Sequence, residues 1–179
     1  MESLFIVGAP RSGTTRLRLM LDAHPALAIP PETGFLPAVL ALRSRAGLEA
    51  FLSLVTGFET WPDFGLEARD LGAALGDLTP FSLADAVRAF YRLYARRFGK
   101  RLWGDKTPDY GLHLPAIRSL LPEARFIHLI RDGRDVALSL RPLWFAPSRR
   151  MEDLAGHWVQ RVSTTRALGR GSPHYLELR

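Results

Sequence analysis

The sequence contains no cysteine, which excludes disulfides, thiolate metal centres and cysteine nucleophiles. Lysine is almost missing too: Lys100 and Lys106 stand alone among 24 basic residues, and the rest are arginine. No apolar run approaches the roughly 20 residues that span a membrane. The first residues, MESLFIVGAP, place no basic stretch ahead of the apolar one, which argues against a secretory leader. These absences predict a cytoplasmic protein. The five histidines, at 24, 113, 128, 157 and 174, follow no zinc-ligand spacing, so no metal is expected. There is no internal repeat and no low-complexity linker. The formal charge of +6 favours anionic partners. No aromatic-interleaved basic tract or RNP-like string accompanies it, so nucleic acid is not expected. A small polyanion fits that charge equally well.

What is present suits one globular domain: 179 residues, 47% of them hydrophobic. Residues 4–8, LFIVG, predict a buried strand. Gly13 to about Ala23 predicts a helix with Leu17, Met20 and Leu21 on one face, closed by His24-Pro25. ALAIP suggests a second strand and Gly34 to about Arg45 an amphipathic helix. Residues 47–98 read as a mainly helical insertion with a loop at Gly57 to Asp63. Its last helix, Leu83 to Phe98, carries apolar residues at 83, 87, 90, 91 and 94. Strands are expected at 101–104 (RLWG), 125–130 (RFIHLI) and 174–178 (HYLEL). Helices are expected at Tyr110 to Leu121, Asp132 to Leu140 and Met151 to Leu168. Alternating strands and helices imply an α/β fold with a parallel sheet. Ligands of such sheets sit at the carboxyl ends of strands, which draws attention to the loops after Val7 and after Ile130.

The first loop, Gly8 to Thr15, spells G-x-x-x-x-G-T-T. It has the spacing and the strand–loop–helix setting of a triphosphate-binding loop, with Thr14 where the lysine belongs. Backbone amides there can surround an anion, with Arg11 offering a charged fork. A plain glycine turn capped by Ser12 or Thr14 gives the same string. The second loop lies in FIHLIRDGRDVALSL. Arg131 holds the strand end where a magnesium-binding aspartate would be expected, and Arg134 follows, so the end is cationic and suits a second phosphate. Solvated arginines beside first-turn aspartates Asp132 and Asp135 are the other reading. Ser139 stands eight residues after Arg131, about 12 Å along a helix, and spacing alone does not pair the two.

Taken together, the two loops resemble the sulfotransferases that use 3′-phosphoadenosine 5′-phosphosulfate (PAPS). GAPRSGTT is similar to their 5′-phosphosulfate loop, and IRDGRDVALS to their 3′-phosphate motif; RLWGDKTPDY is also similar. The resemblance spans roughly residues 4 to 179. It implies a three-layer α/β/α fold like that of P-loop nucleoside triphosphate hydrolases. It implies PAPS as donor, with Arg11, Ser12, Gly13, Thr14 and Thr15 on the phosphosulfate and Arg131 and Ser139 on the 3′-phosphate. The acceptor would be a hydroxyl of a carbohydrate, lipid, peptide or small molecule.

The segment DAHPALAIPPETGFLPAVLALR resembles the tyrosylprotein-type branch, whose Glu-Thr pair carries the base, and Glu32 matches that residue. Its alternative role is to favour the N-terminus of the next helix. Lys106 in GDKTP resembles the family's lysine beside the moving sulfuryl group; the alternative is an exposed lysine in a turn. Asp105 and Asp109 flank it, as orienting groups or acceptor ligands. Lys100 reads as solvated surface, His128 as a satisfied core residue, and Trp103 as core that lies near a site. The given sequence ends at YLELR, where the family continues with an acidic stretch, helices and a late basic loop. The resemblance therefore implies a donor core without that C-terminal part. Two other readings remain: a P-loop-type kinase, opposed by the missing loop lysine and strand-end aspartate, and a non-catalytic nucleotide-binding remnant.

Overall fold

The structure is a computed structural model that describes residues 3–42 and 47–179. Five parallel strands form one sheet: β1 (Ser3–Gly8), β2 (Leu27–Ala28), β3 (Leu102–Lys106), β4 (Arg125–Leu129) and β5 (Tyr175–Leu178), in the order β2-β3-β1-β4-β5. After β1 the chain runs towards the β2 edge; after β4 it runs towards the β5 edge. The connections thus diverge between the ends of β1 and β4, the topological switch point where such sheets hold ligands.

Alternation along the strands explains the core. Phe5 and Val7 join Ala28, Trp103 and Phe126 in the main apolar cluster. Helix α5 (Leu83–Arg97) covers that cluster with Val87, Phe90, Tyr91 and Tyr94, nearly the apolar stripe read from the sequence. Tyr91 stacks on Trp103 with centroids 4.4 Å apart, so Trp103 is core, one strand residue removed from Asp105. Ser82 caps α5 by accepting from the Asp85 amide. Between β2 and α5 lie α2 (Leu36–Ala41), α3 (Leu48–Thr56) and α4 (Ala68–Gly76), with a 3-10 turn at Trp61–Phe64. Residues 47–98 thus carry α3, the 3-10 turn, α4 and α5; the expected end of the helix before them, near Arg45, lies outside the described residues.

Four local expectations are corrected. Helix α1 (Thr14–Asp22) buries only Thr14, and Met20 is 65% exposed, so Leu17, Met20 and Leu21 do not form a buried stripe. The helix expected from Tyr110 to Leu121 is two pieces, a 3-10 turn at Pro108–Leu112 and α6 (Leu114–Leu120). Pro115 causes the break: it lacks an N–H and its ring clashes with a preceding helical carbonyl, so it is tolerated only in a first turn. Lys100 is not solvated; its Nζ donates to the Asp22 carbonyl and to Asp22 Oδ1, the latter at 3.4 Å, closing the end of α1. The strand read at 101–104 extends to Lys106, and this shift carries Lys106 onto the sheet. Helices α7 (Gly133–Leu140) and α8 (Met151–Gly169) complete the chain order.

Candidate active site

At the end of β1 the chain must leave between two strands. Gly8 pairs with Leu129, and a Cβ on it would lie 2.5 Å from the Leu129 carbonyl oxygen, so only glycine allows that approach. The loop then turns through Arg11 at φ 70 and Gly13 at φ 94 into α1. The left-handed conformation is ordinary for glycine but strained for arginine. No side chain caps α1. The reading of Ser12 or Thr14 as a cap is thereby removed, and the loop amides are left to other partners.

The second loop meets the first. Arg131 Nη1 donates to the Arg11 carbonyl at 3.3 Å, and Arg11 Nε donates to Ser139 Oγ at 3.1 Å. Arg11, Arg131 and Ser139, far apart in sequence, thus form one cluster, joined through Arg11. Arg134 stays outside it. Its guanidinium folds back on Asp132, is 88% exposed, and holds the Asp132 carboxyl down at about 2. The pairing of Arg134 with a ligand phosphate is not what this geometry offers.

A third group stands at the end of β3. Lys106 is almost fully buried; its Nζ donates to Glu32 Oε1 and, at 3.3 Å, to Thr15 Oγ1. An exposed turn lysine is therefore excluded. Glu32 is half exposed and lies ahead of α2, whose first turn holds no acidic residue, so it is no helix-end partner. Asp109 pairs with Arg161 rather than with Lys106.

Most of these groups face one cavity of about 700 Å³; Lys106 is not on its wall but bonds Glu32 and Thr15, which are. Arg11, Gly13, Thr14 and Thr15 line it from the first loop, Arg131 and Ser139 from the second, and Glu32 from the segment before α2. Ser12 does not face it either: it lines a neighbouring hollow beside Trp158, and its buried Oγ has no hydrogen-bond partner among the described residues. Sequence reasoning missed Phe58, Glu59 and Thr60, which reach the cavity from the helical insertion, and Phe145 after α7. The loop signal at Gly57 to Asp63 was their only trace. It also missed Thr33, whose hydroxyl, amide and carbonyl are all bonded.

Three buried groups titrate abnormally. Burial pushes the Asp105 carboxyl up to about 6, against the pull of hydrogen bonds from Thr33, Thr107 and Tyr91 and of the Lys106 charge. The hydroxyls of Tyr91 and Tyr110 are raised well above their ordinary value, first by burial and then by the Asp105 charge. Away from the cavity, burial pushes His128 down to about 4. Its Nδ1 lies 2.5 Å from Tyr175 Oη while its Nε2 has no partner, so this core histidine is satisfied on one side only.

The family model described as “Sulfotransferase family” matches residues 3–175. Nodulation protein NoeE of Sinorhizobium fredii is 35% identical over 80% of this chain and 32% of its own length. Protein-tyrosine sulfotransferase 2 of Gallus gallus is 33% identical over 75% of this chain and 32% of its own length. The chain thus spans about a third of the length of these curated relatives. Among solved structures, the sulfotransferase domain of the Synechococcus PCC 7002 olefin synthase superposes with a TM-score of 0.63 and 27% identity, covering 99% of this chain and 66% of that one.

Proposed function

Because the chain belongs to the sulfotransferase family, we propose that it binds PAPS and transfers the sulfuryl group to an acceptor hydroxyl. One observation carries this reading: two loops from opposite sides of the switch point converge on one cavity with Glu32, which holds the buried Lys106 behind it. The donor set fits a ligand that is anionic at two ends. Uncapped loop amides with Arg11 suit one anion, and Arg131 with Ser139 suits another.

PAPS, when bound, supplies an activated sulfuryl group on a phosphate leaving group. The protein's share is positioning and charge. The loop from Arg11 to Thr15 would hold the phosphosulfate with its free amides and with the Thr14 and Thr15 hydroxyls. Arg131 and Ser139 fix the 3′-phosphate and so the register of the nucleotide. Lys106, almost withdrawn from water, lies next to Thr15 and puts a positive charge where negative charge develops. Glu32 Oε1 holds Lys106, and Oε2 is left to take the proton of the acceptor hydroxyl. The acceptor belongs to the hydroxyl compounds: carbohydrate, lipid, peptide or small molecule. Among the described residues no helix is long and apolar enough to cross a membrane. Calorimetry with adenosine 3′,5′-bisphosphate tests the donor assignment. We expect saturable binding that is clearly weakened in Arg11→Ala and in Arg131→Ala; no heat with the unmodified protein would overturn it.

A further inference from the structure

Behind the Glu32–Lys106 pair lies a buried polar chain that the transfer chemistry does not itself use. Asp105 has no exposed surface. It precedes Lys106 in β3, so its side chain leaves the strand on the opposite face. Its Oδ2 accepts from Thr33 Oγ1 at 2.7 Å and from Tyr91 Oη at 2.9 Å. Thr33 has one hydroxyl hydrogen and spends it on Asp105; Tyr110 Oη, 2.7 Å away, therefore donates to Thr33. Tyr110 in turn accepts from the Leu36 amide at 3.0 Å. The bonds run in one direction, from Leu36 through Tyr110 and Thr33 to the carboxylate. The Thr33 amide donates to Thr107 Oγ1 at 3.2 Å, and its carbonyl accepts from Thr60 Oγ1 at 2.7 Å.

Thr33 follows Glu32, and Asp105 precedes Lys106. Two neighbouring links therefore join the same two segments: Glu32 to Lys106 on the cavity side and Thr33 to Asp105 on the core side. Among the described residues Asp105 Oδ1 has no hydrogen-bond partner, so the carboxylate is held in the core at a cost that apolar packing would avoid. We propose that Asp105 is a positioning residue: acting through Thr33, it fixes the Glu32 carboxylate relative to Lys106 while touching neither donor nor acceptor. This rests on the roles assigned above to Glu32 and Lys106.

The test combines two readouts on Thr33→Val, Thr33→Ser and Asp105→Asn. One is release of labelled sulfate from PAPS to water, with bisphosphate affinity measured alongside. The other is amide hydrogen exchange, which does not depend on any ligand. Thr33→Val should slow turnover about 10- to 100-fold and leave bisphosphate affinity within about twofold. It should speed exchange at residues 33–36 and 104–107 by roughly tenfold or more, with residues 8–15 unchanged. Thr33→Ser should restore both. Asp105→Asn should shift both in the same direction as Thr33→Val. Turnover and exchange unchanged in Thr33→Val, impairment in Thr33→Ser as deep as in Thr33→Val, or exchange raised equally at residues 8–15 would each overturn the proposal. If the unmodified protein neither binds the bisphosphate nor releases sulfate, the donor reading fails by itself. The exchange pattern then decides whether Asp105 orders the Glu32 segment.

Discussion

The two ends of the cavity are built on opposite plans. The end at β1 and β4 is made of loop backbone and exposed arginines, with local strings that announce it. The end at β3 rests on buried side chains that meet across the fold, Lys106 under the half-exposed Glu32 and Asp105 under Thr33. An anion that arrives and leaves is served by amides and guanidinium groups open to solvent. A proton transfer needs one fixed geometry, and buried, directional hydrogen bonds supply it. The expected division is that the first end sets affinity and the second sets rate.

Glu32→Gln gives the largest separation. Transfer should fall by about 10²–10⁴-fold while the bisphosphate still binds, because the amide keeps the shape but cannot take the proton. Single-turnover kinetics beside calorimetry measures both. Lys106→Met should cost about 10²–10³-fold in the same transfer assay. It should also leave the Glu32 carboxylate unpaired. A loss of affinity as large as the loss of rate would erase the distinction between the two ends.

Arg131→Ala acts on the other end. It should weaken bisphosphate binding about 10- to 100-fold, the worth of a charge-assisted contact, and leave the fold intact. Arg11 offers a finer comparison. Its φ of 70 costs an arginine of the order of 1 kcal/mol. Arg11→Gly should therefore lose affinity like Arg11→Ala yet melt at a higher temperature than Arg11→Ala, as thermal unfolding will show.

The smallest effect is in the pH dependence of stability. Burial raises Asp105 to about 6 from an ordinary 3.8, so its contribution is complete below pH 4 and is lost as the pH rises through 6. Burial lowers His128 to about 4 from 6.5, so its contribution is complete above 6.5 and is lost as the pH falls through 4. Between about pH 4.5 and 6 the two slopes, each about 1.4 kcal/mol per pH unit at most, oppose each other. Denaturant titrations should show a nearly flat profile for the unmodified protein. Stability should rise with pH in Asp105→Asn and fall with pH in His128→Asn.

The same division explains what the sequence disclosed. The β1 loop and the Arg131 strand end are contiguous strings whose glycines and charges state their geometry, and both read as anion-binding from the sequence alone. Glu32 and Lys106 are proposed from likeness to a family, not from spacing, since nothing in the linear order joins them. Asp105 was visible as a neighbour of Lys106, but its chain was not, because the members at 33, 91, 105 and 110 come from four separate segments. Arg134 misled because charge near a strand end does not say which way a side chain folds; Asp132 captured it. Lys100 misled for a similar reason, since the end of α1 was not visible as its neighbour. Ser12 was counted with the loop, but the backbone turn at Arg11 and Gly13 sends its hydroxyl to the other side.

The central claim is that the cavity holds two separate anion sites, and one calorimetric comparison addresses it. Adenosine 3′,5′-bisphosphate and adenosine 5′-monophosphate are titrated into the unmodified protein and into Arg131→Ala. The account predicts that the bisphosphate binds the unmodified protein about tenfold or more tightly than the monophosphate, and that Arg131→Ala removes this preference while leaving monophosphate binding unchanged. Equal affinity of the two nucleotides for the unmodified protein, or a preference that survives Arg131→Ala, would contradict it.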